Sequence, residues 1–146
     1  VTLISHTPSK QADAERLGAH KFLWSSDDAG MKKYDSYFDV ILNTISAQHD
    51  YKKYLNLLNL NGKMLLVGLP PENPKVDPFA LIKNRRTIMG SMIGGTTETQ
   101  EMLDFCAEHN IVSDIELIPV QKIDEAYDRM VKGDVRYRFV LDMSTL

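Results

Sequence analysis

The chain has 146 residues, 43% of them apolar and 25% charged, with 8 Gly and 6 Pro. That make-up belongs to an ordinary globular protein and excludes a disordered, collagenous or repeat chain, while the length predicts one core rather than two. Seventeen Lys and Arg against twenty Asp and Glu leave a net charge of −3 with no basic stripe, so nucleic acid is not an expected partner.

The chain opens inside a strand, Val1 to Ser5, with no lead-in, so further sequence is expected upstream. Pro8-Ser9 starts a helix that Gly18 closes, Lys21 to Trp24 is the next short strand, and Ser25 to Asp28 cap a brief helix running to Lys33. Phe38 to Asn43 reads as a buried strand. Tyr51, Tyr54, Leu55 and Leu58 share one helical face, and that helix is expected to end near the Asn61-Gly62 turn. Lys63 to Gly68 reads as a central strand, apolar on both faces. Pro70 to Pro74 reads as a loop, Asp77-Pro78 as the cap of a short helix, and Arg86 to Ile93 as a strand broken by glycine. Thr97 and Gln100 have capping-box spacing, and the helix they begin is expected to carry Met102, Phe105 and Cys106 inward. A short strand, Ile115 to Pro119, then precedes a helical stripe of Ile123, Ala126, Tyr127 and Met130, stopped at Gly133; Tyr137 to Met143 is the closing strand. Strands alternating with helices predict a parallel sheet with crossovers.

Ligands of open α/β sheets bind beyond the carboxyl ends of the strands. The first such end, Ser5-His6-Thr7-Pro8-Ser9-Lys10, offers hydroxyls and an ammonium and no carboxylate before Asp13. Where a dinucleotide fold places an acid for a ribose 2′-hydroxyl, this set suits a 2′-phosphate, which favours NADP over NAD. The same residues would equally serve as a plain helix cap with a solvated lysine. Asn43 to Ser46, Val67 to Pro70 and Ser91 to Gly95 are further strand ends with small or polar residues, where turn chemistry alone is the simpler account. Arg136 and Arg138 flank Tyr137 at strand spacing, so both would face one side and could grip a pyrophosphate or simply solvate an edge.

No G-x-G-x-x-G occurs in the chain. The histidines, His6, His20, His49 and His109, are scattered without ligand spacing, and the single Cys106 rules out an internal disulfide and a multi-cysteine zinc site. Cys106, on an apolar helical face, reads as a buried structural thiol rather than a nucleophile. The longest apolar run, Met64 to Leu69, is far below the roughly 20 residues of a membrane helix, and the expectation is a cytoplasmic protein without membrane contact.

Taken together, Ser5-x-Thr7-Pro8-Ser9-Lys10, Val67 to Pro71, Gly90 to Gly95, Glu98 to Cys106 and Asp134 to Val140 resemble, in order and spacing, the zinc-dependent medium-chain alcohol dehydrogenases of the cinnamyl-alcohol-dehydrogenase-like branch. The resemblance implies an NADP-dependent oxidoreductase interconverting alcohols and aldehydes by hydride transfer, with zinc as Lewis acid. Carried over by position, Ser5, Thr7 and Lys10 match the 2′-phosphate residues, with His6 where another hydroxyl often sits. Thr44 would lie along the cofactor; Val67, Gly68 and Leu69 would flank the nicotinamide, Ser91, Met92 and Ile93 would present backbone groups to its carboxamide, and Arg138 would meet the pyrophosphate. The strand Ile88 to Ile93 would pair across a two-fold axis to form a homodimer.

The implied fold is a Rossmann-type doubly wound parallel sheet lacking its first strand and its glycine-rich loop. Residues 1–146 would form a partial NADP-binding domain with a C-terminal return segment, the catalytic zinc domain being absent, so no catalytic residue and no metal ligand is assigned. The zinc would be bound by the missing lobe, and the 146 residues alone are expected to be inactive. In the 3-2-1-4-5-6 order the first strand is central, so its loss should separate strands two and three from four, five and six and leave the chain marginal or prone to aggregate. Two other readings stay open: a non-catalytic nucleotide-binding or dimerisation module, and a Rossmann-like methyltransferase, against which the Ser-x-Thr-x-x-Lys cluster speaks.

Overall fold

The computed structural model describes residues 1–146, and over most of their length the strand-helix alternation read from the sequence is what forms. The chain nevertheless divides into two compact units, Val1–Met92 and Ile93–Leu146, where length alone suggested one core.

In the first unit β1 (Thr2–Ser5) leads through a 3₁₀ turn (Pro8–Lys10) into α1 (Gln11–Arg16) and β2 (Lys21–Trp24). There follow α2 (Asp28–Lys32), β3 (Phe38–Asn43), α3 (Tyr51–Leu55), β4 (Leu58–Leu66), α4 (Pro78–Ile82) and β5 (Thr87–Gly90). Three helices start on an aspartate whose carboxylate accepts a backbone N–H of the first turn: Asp27 from Gly30, Asp50 from Lys52 and Asp77 from Phe79. Gly18 ends α1 at φ +92°, a conformation a Cβ would strain.

β1 pairs in parallel with β2, and β3, β4 and β5 form a second parallel sheet in that order. The two sheets are not hydrogen-bonded to each other. Between them runs a trough of about 600 Å³ whose lining includes Leu3, Ile4, Val40, Leu42 and Thr44. That is the separation expected of a doubly wound sheet without its central strand. It also corrects the expectation that β3 is a buried strand, because Val40 and Leu42 are 56% and 61% exposed on its trough side while Ile41 and Asn43 are buried.

The core of this unit gathers Leu23, Met31, Ile41, Tyr51, Leu55, Leu57, Leu58, Met64 and Ala80. Each large apolar side chain fully removed from water contributes roughly 1.5–3 kcal/mol, so this cluster dominates the unit's stability. One guanidinium lies among them: Arg86 donates from Nε to the Leu58 carbonyl (2.8 Å), from Nη1 to that of Ala80 (2.9 Å) and from Nη2 to that of Asn56 (3.2 Å). Burial holds its pKa below the usual arginine range, partly offset by Asp35.

Element boundaries in this unit differ from the sequence reading. The helix starting at Tyr51 stops at Leu55 rather than near Asn61, because the carbonyls of Asn56 and Leu57 are taken by the N–H groups of Ser36, Tyr37 and Phe38, and Leu58 already belongs to β4. Asn61-Gly62 does turn the chain, with Asn61 at φ +60°, but as an irregularity within β4 where its register to β3 shifts. The predicted strand from Arg86 to Ile93 is strand only from Thr87 to Gly90, and Ser91, Met92 and Ile93 lie beyond it.

The second unit holds α5 (Thr96–Glu108), β6 (Glu116–Pro119), α6 (Ile123–Val131) and β7 (Phe139–Asp142), with β6 and β7 a parallel pair. Helix α5 begins one residue before the expected cap: Glu98 reaches back to accept the Gly95 N–H at 3.0 Å, the return half of a capping box, and Thr97 and Gln100 play no part in it. Met102 and Phe105, expected inward, are 51% and 54% exposed, and Cys106 is half-buried with its thiol 3.7 Å from the Met102 sulfur. Glu116 stitches this unit together by accepting from Arg129 Nη2 (2.7 Å) and the Arg136 N–H (2.9 Å), and these two donors, the backbone one first, hold its pKa below the usual carboxylate range. The segment Arg136-Tyr137-Arg138 bends ahead of β7, which starts only at Phe139, so the argument that strand alternation aims both arginines to one face does not apply.

Candidate cofactor site

The parallel registers put strand ends side by side. Asn43 pairs with Leu66, and Leu66 with Gly90, so the residues that follow, Thr44, Val67 and Ser91, leave one sheet at the same edge. Backbone hydrogen bonds tie them there. The Asn43 carbonyl accepts from the N–H groups of Val67 (3.0 Å) and Gly68 (3.2 Å), and the Leu66 carbonyl accepts from Ser91 N–H (3.0 Å).

At this edge two backbones approach closely. A Cβ placed on Gly68 would lie 2.5 Å from the Ile45 carbonyl oxygen and 2.7 Å from the Thr44 carbonyl carbon, so a side chain there would push the two strand-end loops apart. Thr44 is exposed, Val67 is 49% exposed and Leu69 is 86% exposed, which leaves a hydroxyl and two aliphatic side chains open to a ligand. Met92 is 90% exposed.

At the end of β1, Ser5, His6, Thr7 and Lys10 occupy a single turn. Ser5 Oγ accepts the Thr7 N–H at 3.1 Å, using an acceptor lone pair and leaving its O–H as a donor. The Thr7 carbonyl accepts from Lys10 N–H at 3.2 Å, which fixes the lysine one turn beyond the hydroxyls, and Lys10 is exposed. The indole of Trp24, beside Ser5 in the sheet register, donates to the His6 carbonyl at 3.1 Å and pins the turn from the neighbouring strand. The nearest following acid, Asp13, faces Arg16 within α1 at 3.8 Å. This donor set, two hydroxyls and an ammonium without a carboxylate, has the chemistry to bind a dianion.

The structure thus brings Thr44, Val67 and Gly68 together with Asn43 and Ile45, joins Ser91 to them through Leu66, and gathers Ser5, His6, Thr7 and Lys10 in a second cluster of the same unit. Ile93 and Arg138 fall in the second unit, where Ile93 is 92% exposed and Arg138 borders a groove with Tyr127 and Met130. His49, one of the scattered histidines with no ligand spacing, bonds through both ring nitrogens near the end of β3; an isolated histidine six residues after the strand gives no signal of such a role. No group of three His, Cys, Asp or Glu side chains comes together in a way that could hold a metal ion, so the residues present do not fit a zinc site.

Residues 1–108 match the family described as zinc-binding dehydrogenases, and the chain belongs to that family. Over all 146 residues it is 47% identical to the "Probable formaldehyde dehydrogenase AdhA" of Bacillus subtilis and 48% identical to "NADP-dependent alcohol dehydrogenase C 1" of Mycolicibacterium smegmatis, covering 42% of each. Over 145 residues it is 47% identical to "Cinnamyl alcohol dehydrogenase 2" of Arabidopsis thaliana. Among solved structures, a cinnamyl alcohol dehydrogenase of Sorghum bicolor superposes with a TM-score of 0.92 at 39% identity, covering 99% of this chain and 41% of that one. The Helicobacter pylori protein described as CAD complexed with NADP(H) gives 0.82 at 38% identity, with the same coverage. The chain therefore spans about two fifths of the length of these relatives. Its fold is the Rossmann-type α/β arrangement of zinc-type alcohol dehydrogenases, the branch to which the motifs pointed.

Proposed function

We propose that this chain is the cofactor-binding portion of an NADP-dependent alcohol/aldehyde oxidoreductase. The observation that carries the reading is the turn after β1, which holds Ser5, Thr7 and Lys10 within six residues with no acid among them. The hydroxyls donate to a 2′-phosphate and the Lys10 ammonium neutralises it, whereas a carboxylate at this strand end would repel it. The edge built by Thr44, Val67, Gly68 and Ser91 receives the rest of the dinucleotide, with Gly68 keeping the two loops close enough to form one surface and Val67 and Leu69 offering apolar contact to a flat ring. NADP(H), when bound, supplies or accepts the hydride. His6 contributes its backbone carbonyl to the turn rather than a hydroxyl to the phosphate.

The relatives' longer chains leave room for a zinc-bearing lobe outside these 146 residues. Polarisation of the substrate oxygen is assigned to that lobe, and residues 1–146 alone are expected to be inactive. Small-molecule alcohols or aldehydes are the substrates of the complete protein in this reading. No helix is long and apolar enough to cross a membrane.

Fluorescence titration of the full-length protein with NADPH and NADH tests the assignment. Lys10→Ala should weaken NADPH between about 10- and 100-fold and leave NADH nearly unchanged, as expected for one lost charged contact. Equal affinity of the unaltered protein for the two cofactors would sink the reading.

A further inference from the structure

The end of β3 is held by a small polar network in which every role is fixed. Asn43 is buried, 5% exposed, and uses both halves of its amide: Oδ1 accepts the Ile45 N–H at 3.0 Å, and Nδ2 donates to His49 Nε2 at 2.9 Å. His49 Nδ1 in turn donates to the Ala47 carbonyl at 2.7 Å. The ring lies 4.8 Å from that of Tyr51 and 5.6 Å from that of Tyr54, so α3 holds it in place. Only the neutral tautomer with hydrogen on Nδ1 satisfies both bonds. Through its main chain the same Asn43 holds Val67 and Gly68. One side chain and its histidine therefore set the shape of the Thr44–Ser46 loop and its distance from Gly68.

We infer that His49, acting through Asn43, is a positioning residue for the dinucleotide, and that its protonation loosens the cofactor edge. The inference rests on the cofactor reading above. A second proton on Nε2 faces the Asn43 amide donor head-on. Rotating the amide relieves that clash only by turning Nδ2 toward the Ile45 N–H, so in either rotamer one bond of the loop is lost. The titratable groups packed on the imidazole are Tyr51 and Tyr54 of α3; Asp50, next in sequence, turns its carboxylate to the Lys52 N–H as the helix cap, and β3 presents only the neutral Asn43. No partner that accepts from a protonated Nε2 is in place.

The test uses the full-length protein, with NADPH affinity measured by fluorescence across the range in which an imidazole titrates, and with hydrogen exchange at the Ile45 and Gly68 amides followed without cofactor. His49→Phe keeps a flat ring against the tyrosines and deletes both hydrogen bonds, while Asn43→Asp supplies an acceptor for the protonated ring. Because the 2′-phosphate of the cofactor titrates in the same range, the pH effect is read as the difference from His49→Phe. We expect His49→Phe to bind NADPH roughly tenfold more weakly at neutral pH, and to lose the part of the acid-side weakening that tracks a lower Ile45 protection factor, corrected for the intrinsic pH dependence of exchange, in the unaltered protein. Asn43→Asp should hold its affinity better than the unaltered protein as the pH falls. Unchanged affinity and unchanged pH slope in His49→Phe would overturn the positioning role while leaving the cofactor reading intact. An unaltered protein that binds no NADPH at any pH would overturn both.

Discussion

Arg86 shows how a charged residue can belong to a core. Its guanidinium has no buried carboxylate partner and is instead shared among the carbonyls of Leu58, Ala80 and Asn56, which are the start of β4, a turn of α4 and the exit of α3. It is therefore a cross-brace between three elements, and its removal strands carbonyls that water cannot reach. Arg86→Leu is expected to destabilise the unit by about 2–4 kcal/mol in denaturant unfolding, whereas a change under 1 kcal/mol would show that the carbonyls find water. In the sequence, Arg86 reads only as the first residue of a strand, since its acceptors include carbonyls 28 and 30 residues away. Asp27, Asp50 and Asp77 are different: each acts on a neighbour two or three residues on, and the caps at Asp27 and Asp77 were legible in the segments that carry them. The turn at Ser5 to Lys10 was legible for the same reason, being local, whereas the bond from Asn43 to His49 was not.

At the scale of elements, strand interiors were the most readable features and ends the least. β1, β2 and β3 appear within a residue of where their apolar runs place them, because a run of that kind has one economical arrangement in a sheet. α3 was overextended because its apolar stripe continues into Leu58, and the choice between another helical turn and a strand is made by the loop that ends in Phe38, through its bonds to Asn56 and Leu57. β5 is the outer strand of its sheet and shows one unpaired edge, followed by the exposed Met92. We propose that a second copy of the chain adds to that edge, as the family resemblance implies, although the pairing strand is confined to Thr87–Gly90. Met92→Asp should shift the full-length protein toward monomer in size-exclusion chromatography; an unaltered protein that elutes as monomer would rule the edge out.

For the molecule as a whole, the three sheets of two, three and two strands leave more apolar surface and more unpaired backbone than a closed doubly wound sheet would. The trough is flanked by one open edge of β1 and one of β3, and its walls include Leu3, Val40 and Leu42. Residues 1–146 expressed by themselves should accordingly associate as concentration rises, with light scattering increasing well before unfolding; a concentration-independent monomer in sedimentation would contradict this. The division into two units was not legible, since length points to one core and the unit from Ile93 onward buries a single apolar side chain, Ala126. Trp24 has a use that follows from its position. It is the chain's only tryptophan, it lies in the first unit, and its indole is bonded to the His6 carbonyl of the turn that carries Ser5, Thr7 and Lys10. Under the proposed cofactor assignment, its emission should change in intensity, or fall by energy transfer to a reduced nicotinamide, when that turn is occupied, with no added label and no tryptophan in the second unit to mask it.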